Sequence, residues 1–139
     1  MNTSRTIEQL EAEKWAEPSS DAPPHVHRCH ELRRVPIERL TAADLRVLVG
    51  QDIGLKHLVP ITLGLLKTNP MLLAEHYPGD LLAAAMRIDP GFWSNAPREL
   101  AALNLLAEQA QTLIAGHPES QQFRQVGKDI TRFQAQSAA

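Results

Sequence analysis

Leu55-Lys56-His57-Leu58-Val59-Pro60-Ile61-Thr62-Leu63-Gly64-Leu65-Leu66-Lys67-Thr68 is the stretch that decides the fold. Its apolar residues fall at three- and four-residue steps and fill the gaps between them, so the spacing predicts a helix apolar on nearly every face, lying in the middle of a domain. Pro60 fits such a helix only within its first turn, and Asn69-Pro70 ends it. Upstream, Thr41 with Asp44 three residues on has the form of a capping box. It opens a helix carrying Leu45, Leu48 and Val49, which Gly54 closes. Downstream, Tyr77-Pro78-Gly79-Asp80 reads as a turn whose aspartate caps a helix from Leu81 to about Arg87. Asp89-Pro90 and Asn95-Ala96-Pro97 repeat the start signal. The second of these opens a long stripe of Leu100, Leu103, Leu106, Ala110, Leu113 and Ile114 that runs to Gly116.

The flanks read the same way. Thr6 and Gln9 form another capping box, opening a helix from Ile7 to about Ala16. Pro18 to Pro24 is a connector, and a short helix follows from about His25 to Arg34. A last helix, roughly Pro118 to Ala135, places Phe123, Val126, Ile130 and Phe133 at helical steps. No segment has strand character, and no repeat of fixed period is present. The expectation is an all-α, compact single-domain bundle of six to eight short and medium helices over residues 1–139, with residues 94–139 forming a C-terminal helical pair.

Composition supports this and narrows function. Of 139 residues, 43% are hydrophobic and only 4% aromatic, a Leu- and Ala-rich mixture that favours helix over strand. The ten prolines act as punctuation between helices. One cysteine, Cys29, cannot form an internal disulfide. The start from Met1 to Gln9 is polar, and no apolar run approaches the ~20 residues of a membrane helix, so a cytoplasmic protein without a membrane partner is expected.

The formal net charge of −2 hides an asymmetry. Residues 1–24 carry Glu8, Glu11, Glu13, Glu17 and Asp21 against Arg5 and Lys14, a local −3 beside a proline-rich connector. An acidic surface of this kind suits contact with a basic partner. Residues 25–48 carry Arg28, Arg33, Arg34, Arg39 and Arg46 against three acids, a local +2. That is small for phosphate binding, although a helical nucleic-acid-binding regulator using Arg28 to Arg46 is the second reading. His25, His27, Cys29 and His30 pair on helix faces at the spacing of metal ligands, but no second cysteine or nearby histidine completes a site of three or four ligands. Cys29 and His30 are neighbours, about 100° apart on a helix, and do not form a nucleophile–base pair. No glycine-rich phosphate loop is present. No catalytic, cofactor-binding or metal residue is therefore assigned, and no enzyme activity is expected.

Several blocks in one order resemble a known family. They are Thr6-Ile7-Glu8-Gln9-Leu10-Glu11; Trp15 with Glu17-Pro18; Cys29-His30-Glu31-Leu32-Arg33-Arg34 with Pro36; Leu40 to Arg46; Gly50 to Leu55; Leu58-Val59-Pro60; Tyr77 to Leu82; and Phe92-Trp93. Together, over residues 6–93, they resemble the CdiI-type immunity proteins of contact-dependent growth inhibition systems. The resemblance implies a cytoplasmic, non-enzymatic protein that binds and neutralises the C-terminal toxin domain of a cognate CdiA-type effector. It further implies a nuclease toxin, with an RNase A-like ribonuclease favoured. A ribonuclease cleft must attract phosphate and is basic, which gives Glu8, Glu11, Glu13, Glu17 and Asp21 a role as the partner-binding residues.

Overall fold

The computed structural model describes residues 4–138. The first three residues of the polar start and Ala139 lie outside the described residues. The helices are α1 (Ile7–Glu11), α2 (Pro24–Leu32), α3 (Ala42–Gly50), α4 (Leu55–Thr68), α5 (Asp80–Met86), α6 (Pro90–Trp93), α7 (Pro97–Ala115) and α8 (Gln121–Ala138), with a 3-10 turn at Ile37–Arg39. Among the described residues the only extended pairings are two isolated bridges, Thr6 with Pro36 and Leu73 with Pro78. The fold is all-α, as the helical spacings predict.

The centre is α5 rather than α4. All seven α5 residues are buried, and α3, α4, α7 and α8 pack around it. In α4 the buried set is Leu55, Leu58, Val59, Thr62, Leu63 and Leu66, a single wide stripe at helical spacing. Lys56, Pro60 and Gly64 stay exposed on the opposite side. That placement explains why Pro60 is accommodated beyond the first turn. The carbonyl whose bond it removes belongs to Lys56, a residue of the same water-facing side. Side chains from Ile7 in α1 to Phe133 in α8 join one hydrophobic core, with Leu48, Leu58, Leu66, Leu81, Leu103 and Ile130 fully enclosed.

Both predicted capping boxes form. The Thr6 hydroxyl accepts from the Gln9 N–H at 3.1 Å and the Gln9 side chain accepts from the Thr6 N–H at 2.9 Å. Thr41 and Asp44 do the same at 3.1 and 2.9 Å. Several starts and stops differ from the sequence reading, among them α2, which ends at Leu32 and not Arg34, and the last helix, which runs on to Ala138. The first helix ends at Glu11, because Ala12 turns into the left-handed region at φ 53°. Gly54 does not close α3 but begins α4 at φ 63°, where a Cβ would stand 3.0 Å from Ile7 Cδ1. The last helix begins at Gln121, three residues later than Pro118.

Candidate protein-interaction surface

The acidic N-terminal segment is laced to the end of α2. Main-chain bonds run from the Glu8 N–H to the Arg33 carbonyl and from the Ile37 N–H to the Arg5 carbonyl, each 3.0 Å. Side chains complete the attachment. The Arg33 guanidinium, only 1% exposed, donates to Glu11 Oε1 at 2.7 Å and to the Glu13 carbonyl at 3.0 Å, and lies 4.1 Å from the Trp15 ring centroid. Trp15 in turn meets His30 edge-on at 5.1 Å. Arginine is suited to this place because its planar, weakly hydrated head can stack on an aromatic face while its N–H groups remain free to donate.

Arg34 binds two more of the predicted acids. It donates to Glu17 and approaches Glu8 at 3.7 Å. The hydrogen bond and charge of Arg34 hold the Glu17 carboxyl below the usual carboxylate range, and Glu17 raises Arg34 reciprocally. Of the five predicted partner-binding residues, Glu8, Glu11 and Glu17 are thus placed together by two consecutive arginines. Glu13 is held by its carbonyl, with its residue exposed, and Asp21 is exposed after a Ser19-stabilised turn in which the Ser19 hydroxyl accepts from the Asp21 N–H at 3.3 Å.

Four of the five arginines between Arg28 and Arg46 are committed internally. Besides Arg33 and Arg34, Arg28 reaches Glu75 at 3.1 Å and Asp44 at 3.5 Å, and Arg46 reaches Glu75 at 2.7 Å and Asp80 at 3.9 Å. Arg46 and then Arg28, acting against the upward push of burial, keep the Glu75 carboxyl below its usual range. Arg33 and Arg34 are therefore taken by acids of the N-terminal segment, and Arg28 and Arg46 by Asp44, Glu75 and Asp80. What phosphate would need, a stripe of unneutralised cations, is not formed by these residues.

The histidine–cysteine cluster is dispersed. Cys29 is buried, where burial pushes its thiol up, while His25 is exposed and His30 packs on Trp15. Among the described residues no group of three or more His, Cys, Asp or Glu could hold a metal ion. A recess of about 300 Å³ lined by residues including Met86, Ile88, Trp93 and Phe133 is mostly apolar and carries none of the five acids. No described helix is long and apolar enough to cross a membrane.

Sequence reasoning missed one feature of this surface. Asp80 does not cap α5. Its carboxylate, 2% exposed, accepts the N–H groups of Ala74, Glu75 and His76 at 2.8, 2.9 and 2.8 Å, bracing the loop that precedes the helix. Gly79, at φ 90°, turns the chain so that the carboxylate faces back into that loop. Burial raises the Asp80 pKa, but the N–H bonds outweigh it and hold the group below the ordinary aspartate value. A Pro-Gly-Asp turn after a short apolar segment was the available signal.

No curated protein and no solved structure matches this chain. A family model does match, over residues 9–103, more than half of the chain and including α2 to α6 with the whole Asp80-braced loop. The chain belongs to the family of CDI immunity proteins.

Proposed function

We propose that this chain neutralises the C-terminal toxin domain of a cognate CdiA-type effector in the cytoplasm, by binding rather than by catalysis, and that the toxin is a nuclease of the RNase A-like class. One domain spanning residues 1–139 does the binding. The observation that carries this reading is the pinned acidic segment. Glu8 to Glu17 stand on a support fixed by a buried arginine, so little ordering is needed on contact. Carboxylates set rigidly toward a cleft that must attract RNA phosphates would steer association and then occupy the substrate's place. Glu13 and Asp21 matter most here, because both are exposed and neither carboxylate is in one of the Arg33 or Arg34 pairs.

The test uses the C-terminal toxin domain of the cognate CdiA-type effector. Stoichiometric addition of the chain is expected to stop RNA cleavage by that domain. Association of the Glu13→Lys, Asp21→Lys double variant is expected to be about tenfold slower than wild type at low ionic strength, the two rates converging at high salt. Continued RNA cleavage in the saturated complex would overturn active-site blockade. An unchanged association rate would remove the acidic segment from the interface. A gel shift with bulk RNA and DNA near physiological salt is expected to show no binding, against the nucleic-acid regulator reading.

A further inference from the structure

The acidic segment is one edge of a wider surface. His27 and Glu31 each lie two residues from buried Cys29, which at about 100° per residue places both some 160° around α2 from the core side. Glu31 is accordingly exposed on the outer ridge of the helix. At one end of this ridge Arg34 holds Glu8 and Glu17; toward the other, Arg28 holds Glu75 of the braced loop. The four steps from Arg28 to the end of α2 at Leu32 correspond to about 6 Å of helical rise, with Arg34 two residues beyond, and a standard interface covers about 800 Å² per partner. One footprint therefore takes in the segment, the ridge and the loop.

The loop supplies what the acids lack. Leu73, two residues before Glu75, is 54% exposed, one of three large apolar residues left in water among those described. Its neighbours are fixed by the three N–H bonds to Asp80, by the Leu73–Pro78 bridge and by a 3.1 Å bond from the Gly79 N–H to the Leu72 carbonyl. An apolar side chain on a backbone already ordered loses little freedom when a partner covers it.

We propose that the partner-binding surface of this protein is a three-part face, the acidic segment, the Glu31 ridge of α2 and the Asp80-braced loop, on which Leu73 is the apolar anchor for a basic protein surface. This rests on the reading that the chain binds a basic toxin domain, and it assigns that interface a division of labour. The carboxylates, Glu31 included, set the association rate; Leu73 sets the lifetime of the complex.

Surface-immobilised, catalytically inactivated toxin domain of the cognate effector tests this with the full-length chain. Leu73→Ala is expected to raise the dissociation rate at least tenfold and to change the association rate less than twofold, with an unchanged melting temperature because the side chain is exposed. Leu73→Ile should recover most of the lost lifetime. Glu31→Lys is expected to slow association severalfold at low salt only. A wild-type chain that binds while Leu73→Ala dissociates at the wild-type rate overturns the anchor and leaves the toxin-binding reading intact. A wild-type chain that fails to bind the domain overturns both.

Discussion

Arg33 and Glu11 meet through a 2.7 Å hydrogen bond in which the arginine is enclosed, 1% exposed, while the glutamate side chain keeps 31% of its surface in water. The pair is therefore asymmetric. Removing the glutamate leaves a buried cation that still has the Glu13 carbonyl and the Trp15 face; removing the arginine deletes a side chain that contacts Glu11, Glu13 and Trp15 at once. Arg33→Ala is expected to cost about 3 kcal/mol and Glu11→Gln about 1 kcal/mol, read from urea denaturation midpoints at constant m. Hydrogen exchange in Arg33→Ala should lose protection first at Glu8, whose N–H bonds the Arg33 carbonyl. Equal costs for the two variants would mean that the arginine acts only through its charge.

Two left-handed residues invite opposite substitutions. Ala12 ends α1 at φ 53° although it carries a Cβ, a conformation that glycine adopts without penalty. Ala12→Gly is expected to stabilise the protein by about 0.5–1 kcal/mol, the relief of strain exceeding the added freedom of the unfolded chain. Gly54 is the reverse case. At φ 63°, with Ile7 Cδ1 3.0 Å from where a Cβ would stand and Ile7 fully buried, Gly54→Ala is expected to cost about 2–4 kcal/mol. Thermal melts of both variants beside wild type check the two signs.

These positions also show what was legible in the sequence. Helix class, both capping boxes and the proline-marked starts of α6 and α7 follow from residues within one turn of each other, and the structure has them. The end of α1 does not. Nothing between Ala12 and Ala16 breaks a helix; the chain leaves because Arg33, some twenty residues on, takes both the Glu11 carboxylate and the Glu13 carbonyl. Burial order was missed for a related reason. The longer apolar stretch at Leu55–Thr68 looks the more central, yet its Lys56, Pro60 and Gly64 face water, and the short Ala-rich α5 fits where four helices converge. The charge blocks were legible as opposite in sign, but that Arg34 takes Glu17 while Arg28 takes Glu75 is decided only once α2 lies between the N-terminal segment and the Glu75 loop.

Thr62 carries a hydroxyl into the core at 1% exposure, with no hydrogen-bond partner for Oγ1 among the described residues. A buried hydroxyl without a partner bears its desolvation cost unrelieved, and valine has nearly the same shape. Thr62→Val is therefore expected to be neutral to about 1 kcal/mol more stable, measured by denaturant unfolding. Thr62→Ser keeps the hydroxyl and deletes a methyl, so it is expected to cost about 1 kcal/mol. A destabilised valine variant would show that the hydroxyl is hydrogen-bonded.

Asp80 links the fold to acid stability. Burial alone would raise its pKa, but its bonds from the His76, Ala74 and Glu75 N–H groups prevail, so the folded-state value lies below the unfolded one. A carboxyl depressed in this way contributes stability that is fully present above the unfolded aspartate range and is lost as pH falls through the folded value. Asp80→Asn replaces one accepting oxygen with an NH2 group facing N–H donors, so it is expected to cost about 2–3 kcal/mol near neutral pH. The gap should then narrow on acidification from about pH 5 to about pH 2, because protonation of wild-type Asp80 removes the same advantage. Urea titrations of both proteins across that range give the measurement; parallel curves that never converge would show that ionisation of Asp80 is not what holds the loop.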